Sequence, residues 1–549
     1  MTLLKMILPS GYIGFCARPC PESVFCRPSG TAVSFRCVPR LESLGYCRKS
    51  LRDTAKTEVH PWLPIPGLRF SVLCALASSF LFIAHAAERK PNLLFIYTDD
   101  QRWDAMSVVQ QEQGPRARFP WFQTPNMDRI AAEGVRFRNA FVTLSLCAPS
   151  RAAFLTGRYN HLNGVINNHT PFPEDSVTHA TLLRAAGYST AYIGKWHMDG
   201  QRGQRPGFDY SASFIGQGKY VDCPVEINGK PTPTSGWIDD VLTDYAIDFI
   251  KQHKDRPFSM VVGFKACHGP TDPPERAKER FAGKKARPVP NLGVPAIFRA
   301  NDDNPRGRLR TLETNSAGEV NINLNYFRCL SAADDNVGKL LKTLDDLGIA
   351  DNTVVVFASD NGFYNGEHGL GDKRSVYDES LRIPMLVRYP KGVGKGKVRD
   401  EMALNIDIAP TFLDLAGVAV PAAMQGKSWT PLLQDRPAQW RKSFLAEYFY
   451  ERGFPTTPMV LAVRTDDAKL VKYPGHEEWT ELFDLKSDPY EIKNLVHDAA
   501  HQKLLEQMKA EFETQLKATA YRVPDDADKP EADEKSSGPK QPKKKKKTE

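Results

Sequence analysis

Cysteine is scarce over most of this 549-residue chain: only Cys147, Cys223, Cys267 and Cys329 follow residue 86. Four scattered thiols do not build a disulfide framework, although one pair among the last three stays open. An excess of one charge sign is also missing from this stretch. The formal net charge of +8 is concentrated in residues 1–86, which hold ten Lys/Arg and four Asp/Glu. By subtraction the rest carries about +2, which excludes the basic footprint of a nucleic-acid binder. Internal repeats are lacking, and so is an apolar run long enough to span a bilayer comfortably. The nearest candidate, Leu68 to Ala86, has a basic start, a short apolar core and a small-x-small end. It reads as a secretory signal over residues 67–86, cleaved after Ala86, with a membrane anchor as the alternative. Cleavage would leave a secreted or periplasmic protein without a stable membrane span. Cys74 follows Leu73, which does not suit a lipid-anchored signal. Signals begin near the initiator, so residues 1–66, with Cys16, Cys20, Cys26, Cys37 and Cys47, are expected to be a non-native or disordered extension.

What remains is ordinary globular material, 41% hydrophobic and 25% charged for the whole chain, and long enough for two or more domains. Pro91 to Asp100 holds five consecutive apolar or aromatic residues, Leu93 to Tyr97, and ends in Asp99-Asp100, the pattern of a buried parallel strand with a functional C-terminal end. Thr124-Pro125 opens a helix that Gly134 can close. Val135 to Phe141 reads as one strand. A helix around Ala180 to Ala186 precedes a strand from Ser189 to Ile193. Phe258 to Phe264 is a further strand, Phe327 to Leu347 a long helix, and Thr353 to Phe357 a strand running into Asp360-Asn361. This alternation predicts an α/β fold, a large mostly parallel sheet sandwiched by helices. Residues 275–325, rich in Pro, Arg and Asn, read as a surface insertion near the substrate mouth. After about residue 440 short strands at Ala462–Arg464, Leu470–Tyr473 and Glu481–Leu485, then a helix to Lys517, predict a smaller α+β subdomain with an antiparallel sheet. The expected layout is a catalytic domain over 87–440, the subdomain over 441–524 and a disordered Lys-rich tail over 525–549.

Several polar groups follow the apolar strands. Asp99-Asp100 and Asp360-Asn361 would each pass for a turn or cap alone. Two such pairs in one α/β pattern point to a cation between them, and oxygen-only donors suit Ca²⁺ or Mg²⁺ over zinc. Lys195 and His197 follow one strand and His268 another. Lys373 lies beyond Asp360. Between them sits Cys147-Ala-Pro149-Ser-Arg151, continuing to Leu155-Thr156-Gly157-Arg158. Arg151 falls one helical turn past Cys147 and can face the same point.

This string, with its partners in the same order, resembles the signature of the type I sulfatases of the alkaline phosphatase superfamily. The likeness extends over nearly all of residues 90–520. Gly366 to Leu370, Leu381 to Pro384 and Ile227 to Lys230 are most similar to N-acetylglucosamine-6-sulfatases and mucin-desulfating enzymes. The resemblance implies an alkaline-phosphatase-like fold and a sulfuric ester hydrolase acting on a sulfated carbohydrate: a glycosaminoglycan, mucin or algal-type glycan. It implies that a formylglycine-generating or equivalent maturation enzyme oxidises Cys147 to formylglycine. Ca²⁺, in preference to Mg²⁺, would be bound by Asp99, Asp100, Asp360, Asn361 and residue 147. Lys195, His268 and Lys373 would clamp the sulfate. Arg151 and His197 would orient the formylglycine, and His268 would protonate the leaving alcohol. His368 would face the substrate. The alternatives are a phosphonate monoester or phosphodiester hydrolase of the same superfamily, and a catalytically silent glycan-binding homologue.

Overall fold

The computed structural model describes residues 89–525 and 527, apart from 199–200, 301–313, 317, 452–453, 455–456 and the side chain of residue 300. The expectations for residues 1–66, 67–86 and 528–549 lie outside the described residues. Every described residue belongs to one compact unit, Ala84–Glu549. Its strands are β1 (Asn92–Thr98), β2 (Val135–Phe137), β3 (Ala140–Phe141), β4 (Ser189–Gly194), β5 (Tyr210–Ser213), β6 (Val225–Ile227), β7 (Lys230–Thr232), β8 (Phe258–Gly263), β9 (Thr353–Ser359), β10 (Met385–Arg388), β11 (Lys397–Arg399), β12 (Ala403–Leu404), β13 (Ser443–Tyr448), β14 (Val460–Thr465), β15 (Ala468–Lys472) and β16 (Glu481–Asp484). The helices of seven residues or more are α1 (Ser107–Gln113), α2 (Pro125–Ala132), α3 (Cys147–Thr156), α4 (His179–Ala185), α5 (Ile238–His253), α6 (Leu324–Asp346), α7 (Ile408–Leu415) and α8 (Gln502–Ala518).

Ten strands form one mixed sheet in the order β11-β2-β10-β9-β1-β8-β4-β5-β6-β7. The five central strands β9, β1, β8, β4 and β5 run parallel. β1 explains why its sequence is a continuous apolar run rather than an alternating one. Leu93, Phe95 and Tyr97 enter one apolar layer with α3, α4 and α7, while Leu94 and Ile96 enter the opposite layer with α2, α5 and α6. Both faces are covered, so both need apolar side chains. The second sheet, β13-β14-β15-β16, is antiparallel. Its core is continuous with the first layer through Phe444, which stacks on Phe141 with ring centroids 5.2 Å apart. Among the described residues no helix is long and apolar enough to cross a membrane.

Three local readings need correction. The run from Val135 to Phe141 is broken: β2 joins the large sheet, whereas β3 pairs with β12 in a separate two-stranded ladder. Thr124 sits at the N-cap of α2, but its hydroxyl accepts from the Ser107 amide at 2.9 Å instead of capping the helix. Gly134 is needed because β10 passes against it, not because it takes a left-handed turn. A Cβ there would lie 2.0 Å from the Val387 carbonyl oxygen. The strands β5, β6, β7, β10, β11, β12 and β13 have no counterpart in the sequence reading.

His161 ties the short helix Asn160–Asn163, which follows α3, to the second sheet and the end of α8. Its Nδ1 lies 2.7 Å from Glu447 Oε2 on β13, and its Nε2 lies 3.1 Å from the Thr519 carbonyl just past α8. Burial pushes this imidazole down, but the Glu447 hydrogen bond and charge overcome burial and raise it above its ordinary value. A raised folded value stabilises fully below the unfolded value, about 6.5, and the contribution is lost as pH rises through the folded value. Urea denaturation at pH 5.5 and pH 9 therefore gives wild type a larger alkaline loss of stability than His161→Gln. Equal losses would show that the imidazolium does not hold this helix to the second sheet.

Candidate active site

Strand register delivers the site. β1 and β9 pair with Thr98 opposite Ser359, so Asp99-Asp100 and Asp360-Asn361 leave the sheet side by side. β8 and β4 flank them, with Gly194 opposite Gly263. At that point the backbones touch: a Cβ on Gly194, whose φ is +117°, would lie 1.9 Å from the Gly263 carbonyl oxygen. This close approach brings Lys195 and His197 toward β1. The loop after β8 is laced to β1 by Asp99 N donating to Ala266 O and Cys267 N donating to Asp99 O, each at 2.8 Å, which sets His268 beside the carboxylates. Asp100 and His197 both adopt left-handed backbone, φ 66° and 53°. That conformation is uncommon outside glycine and tends to gather at functional sites.

Around Cys147, the first residue of α3, the polar groups converge. Its Sγ lies 3.5 Å from Asp99 Oδ1 and 4.0 Å from Lys195 Nζ. Lys195 also donates to Asp99 Oδ2. Arg151 donates through Nε and Nη2 to Asp360 Oδ2 at 3.0 and 2.7 Å, and its Nη2 lies 3.2 Å from Asp99 Oδ2. Lys373 Nζ and Asn361 Nδ2 each donate to Asp100 Oδ1 at 2.7 Å. His268 Nε2 is 3.9 Å from Asp100 Oδ2, while its Nδ1 meets the Gly269 carbonyl at 2.6 Å. His197 Nε2 meets Gln217 Nε2 at 2.9 Å. Ten of the eleven residues singled out from the sequence thus form one cluster. His368 does not join it. The chain turns it inward with φ 51°, its ring stacks on Tyr377 with centroids 3.9 Å apart, and it is 1% exposed. A substrate-facing role for His368 is therefore corrected to a packing one.

Electrostatics follow from burial and crowding. Burial would push the Asp99 carboxyl up, but Lys195, His268, Arg151 and Lys373 hold it well below the usual range. Burial, with the Asp99 charge behind it, pushes Asp360 up to about 6. The same two causes push the Cys147 thiol up to about 12. Burial and Lys195 push His268 down to about 3 and hold His197 well below the imidazole range. Oxygens of Asp99, Asp100 and Asp360 lie within 4.8 Å of one another. Asn361 Oδ1 is buried beside them with no partner among the described residues. Four hard oxygen donors, one of them orphaned, fit a cation of the Ca²⁺ or Mg²⁺ type.

A cavity of about 560 Å³ opens over the cluster, with Asp100, His197, His268 and Lys373 in its wall. Its outer wall carries residues that sequence reasoning passed over. Arg374 pairs with Asp372 at 2.8 Å and with Glu451, and lies over the Phe454 ring. Gln217 holds His197, and Lys265 Nζ donates to the Gln217 carbonyl at 2.9 Å. Arg374 directly follows Lys373, which was the available signal. Lys265, behind the wall, lies three residues before His268 in the same string, whereas Gln217 carries no motif.

The sulfatase family model matches residues 91–418, a span that contains all ten clustered residues. The chain belongs to the sulfatase family. This sulfatase is an enzyme of the sulfuric ester hydrolase class. A second family model, described as the C-terminal part of N-sulphoglucosamine sulphohydrolase, matches residues 366–518. N-acetylglucosamine-6-O-sulfatase of Bacteroides thetaiotaomicron is 34% identical over 78% of this chain and 87% of its own length. The ulvan-active sulfatase of Formosa agariphila is 30% identical over 78% of this chain and 81% of its own. A solved structure in complex with its substrate D-glucosamine-2-N,6-O-disulfate superposes with a TM-score of 0.71 at 32% identity, covering 80% of this chain and 100% of that one.

Burial and a thiol raised to about 12 make an unconverted Cys147 inert in the folded sulfatase, because the thiolate is the reactive form. Iodoacetamide at pH 8 is expected to leave the Cys147 peptide unlabelled in the native protein and to label it after unfolding, as read by mass spectrometry. Rapid native labelling would contradict the buried geometry.

Proposed function

We propose that this sulfatase removes sulfate from a sulfated carbohydrate, using formylglycine made from Cys147 and Ca²⁺ held by Asp99, Asp100, Asp360 and Asn361. One observation carries the reading: three carboxylates, three cations and two imidazoles gather with Cys147 in one cluster under one cavity. The three cations already balance the three carboxylates. A divalent ion would make the pocket net positive, which suits an anionic ester. Relatives named for N-acetylglucosamine-6-sulfate and glucosamine disulfate support a sulfated sugar.

Hydrated formylglycine would supply two hydroxyls on one carbon, one to attack sulfur and one to expel sulfate. The remaining roles fall to this chain's own side chains. Lys195 and Lys373, relieved of the carboxylates by a bound cation, would clamp the sulfuryl oxygens. Arg151, fixed by Asp360, would orient residue 147, and His197 would hold its hydroxyl. His268 keeps Nδ1–H on the Gly269 carbonyl, so its neutral ring presents Nε2 as an acceptor. It would protonate the departing alcohol only after taking up a proton, which the bound anionic ester would favour against the burial and Lys195 that push it down. Conversion of a thiol this buried would require the maturation enzyme to meet the chain before it folds. Export through a signal over residues 67–86, to the periplasm or outside the cell, belongs to the same proposal.

Sulfate release from 6-sulfated N-acetylglucosamine tests it. Wild type turns over. Cys147→Ser does not, since serine has no second oxygen to expel sulfate. Lys373→Ala loses roughly 10²–10³-fold, the scale of one transition-state donor. Dialysis against a Ca²⁺ chelator lowers both turnover and melting temperature, because a ligand of the folded state stabilises it. Sustained turnover by Cys147→Ser, or faster hydrolysis of an aryl phosphonate than of the aryl sulfate, would overturn the assignment.

A further inference from the structure

A second cavity, of about 360 Å³, adjoins the first and shares Gly269 and Phe363 with it. Its volume falls in the range of small-ligand sites, roughly 300–1,000 Å³. The chemistry of its wall differs sharply from that of the sulfate cavity. None of its nine described lining residues is charged. Thr271, Asn321, Asn323 and Asn365 supply hydroxyl and amide groups, and Phe363 and Tyr326 supply an aromatic wall. The two rings stack with centroids 5.9 Å apart. Tyr326 is anchored to the reaction centre, donating to the Asp100 carbonyl at 2.7 Å. Asn365 is held by its backbone: its amide donates to Glu367 Oε2 at 2.6 Å and its carbonyl accepts from Arg118 at 2.9 Å. Its side-chain Nδ2 nevertheless stays buried without a partner among the described residues. The hydroxyl and amide groups of this polar wall suit a ligand that both donates and accepts hydrogen bonds.

Resting on the reading of a sulfated carbohydrate as substrate, we infer that this cavity is a second subsite. It binds the neutral sugar ring attached to the sulfated one. Direction supports this. The alcohol leaves toward His268, so the rest of the glycan continues past His268, and Gly269 is the next residue and the shared wall. The aromatic wall suits the C–H face of a pyranose, and amides and a hydroxyl suit its hydroxyls. A second sulfate or a uronate would meet no counter-charge among the described lining residues and would lose hydration.

The test compares kcat/KM for three 6-sulfated N-acetylglucosamine substrates: the methyl glycoside, a disaccharide with a neutral hexose next to it, and one with a uronate. Two or three hydrogen bonds predict a neutral-disaccharide to methyl-glycoside ratio of about ten, with the uronate compound near one. Asn321→Trp, which fills the cavity, and Asn365→Leu, which replaces an amide of its wall by an apolar side chain, each bring the neutral ratio down toward one. The ratio is taken within each variant, so any loss of folded protein cancels. A wild-type ratio near one, a preference for the uronate, or variants that keep the full ratio would overturn the subsite while leaving the sulfatase reading intact. Absence of turnover of the methyl glycoside itself, with aryl sulfate still hydrolysed, would remove the sugar reading and the subsite together.

Discussion

Three carboxylates, Asp99, Asp100 and Asp360, share one buried corner at the C-terminal edge of the large sheet. Like charges so placed cannot all stay ionised unaided, and burying a charge without a partner costs several kcal/mol. Much of the surrounding structure answers that constraint. Arg151, Lys195 and Lys373 arrive from a helix, a strand end and a distant loop to neutralise it. The Gly194–Gly263 contact lets β4 come close enough for Lys195 to reach. Asp100 and His197 both adopt left-handed backbone where they join the cluster.

The same arrangement accounts for a silent gene-encoded residue. Cys147 sits among charges that could activate it, yet burial and Asp99 push its thiol the wrong way for a nucleophile. A site this carefully charged around an unreactive sulfur makes chemical sense when residue 147 is an oxygen-bearing group made from the cysteine. The uncharged cavity beyond Gly269 then divides the work by charge, the anion at the cluster and a neutral ring outside it.

Much of this was legible in the residues because the chemistry sits at strand ends. Apolar runs such as Asn92–Thr98 and Thr353–Ser359 announce buried parallel strands, and the acids that close them share an edge by topology. What escaped depends on contacts between segments far apart in the chain. Gln217 matters because a loop places it on His197, and Lys265 because the fold sets it on the Gln217 carbonyl and near the charges of Lys195 and Asp99. β13 has an apolar sequence that reads equally as strand or connection until β14 pairs with it. His368 sits in a sulfatase-like string, but the turn around it, not the string, decides that it faces Tyr377.

The account stands on residue 147 being remade. The most direct measurement is the intact mass of the Cys147 peptide from a preparation whose sulfate-releasing activity has been verified. Conversion of the thiol-bearing carbon to an aldehyde predicts a mass about 18 Da below that of the encoded peptide, hydration aside. An active preparation whose peptide carries the full cysteine mass would contradict it.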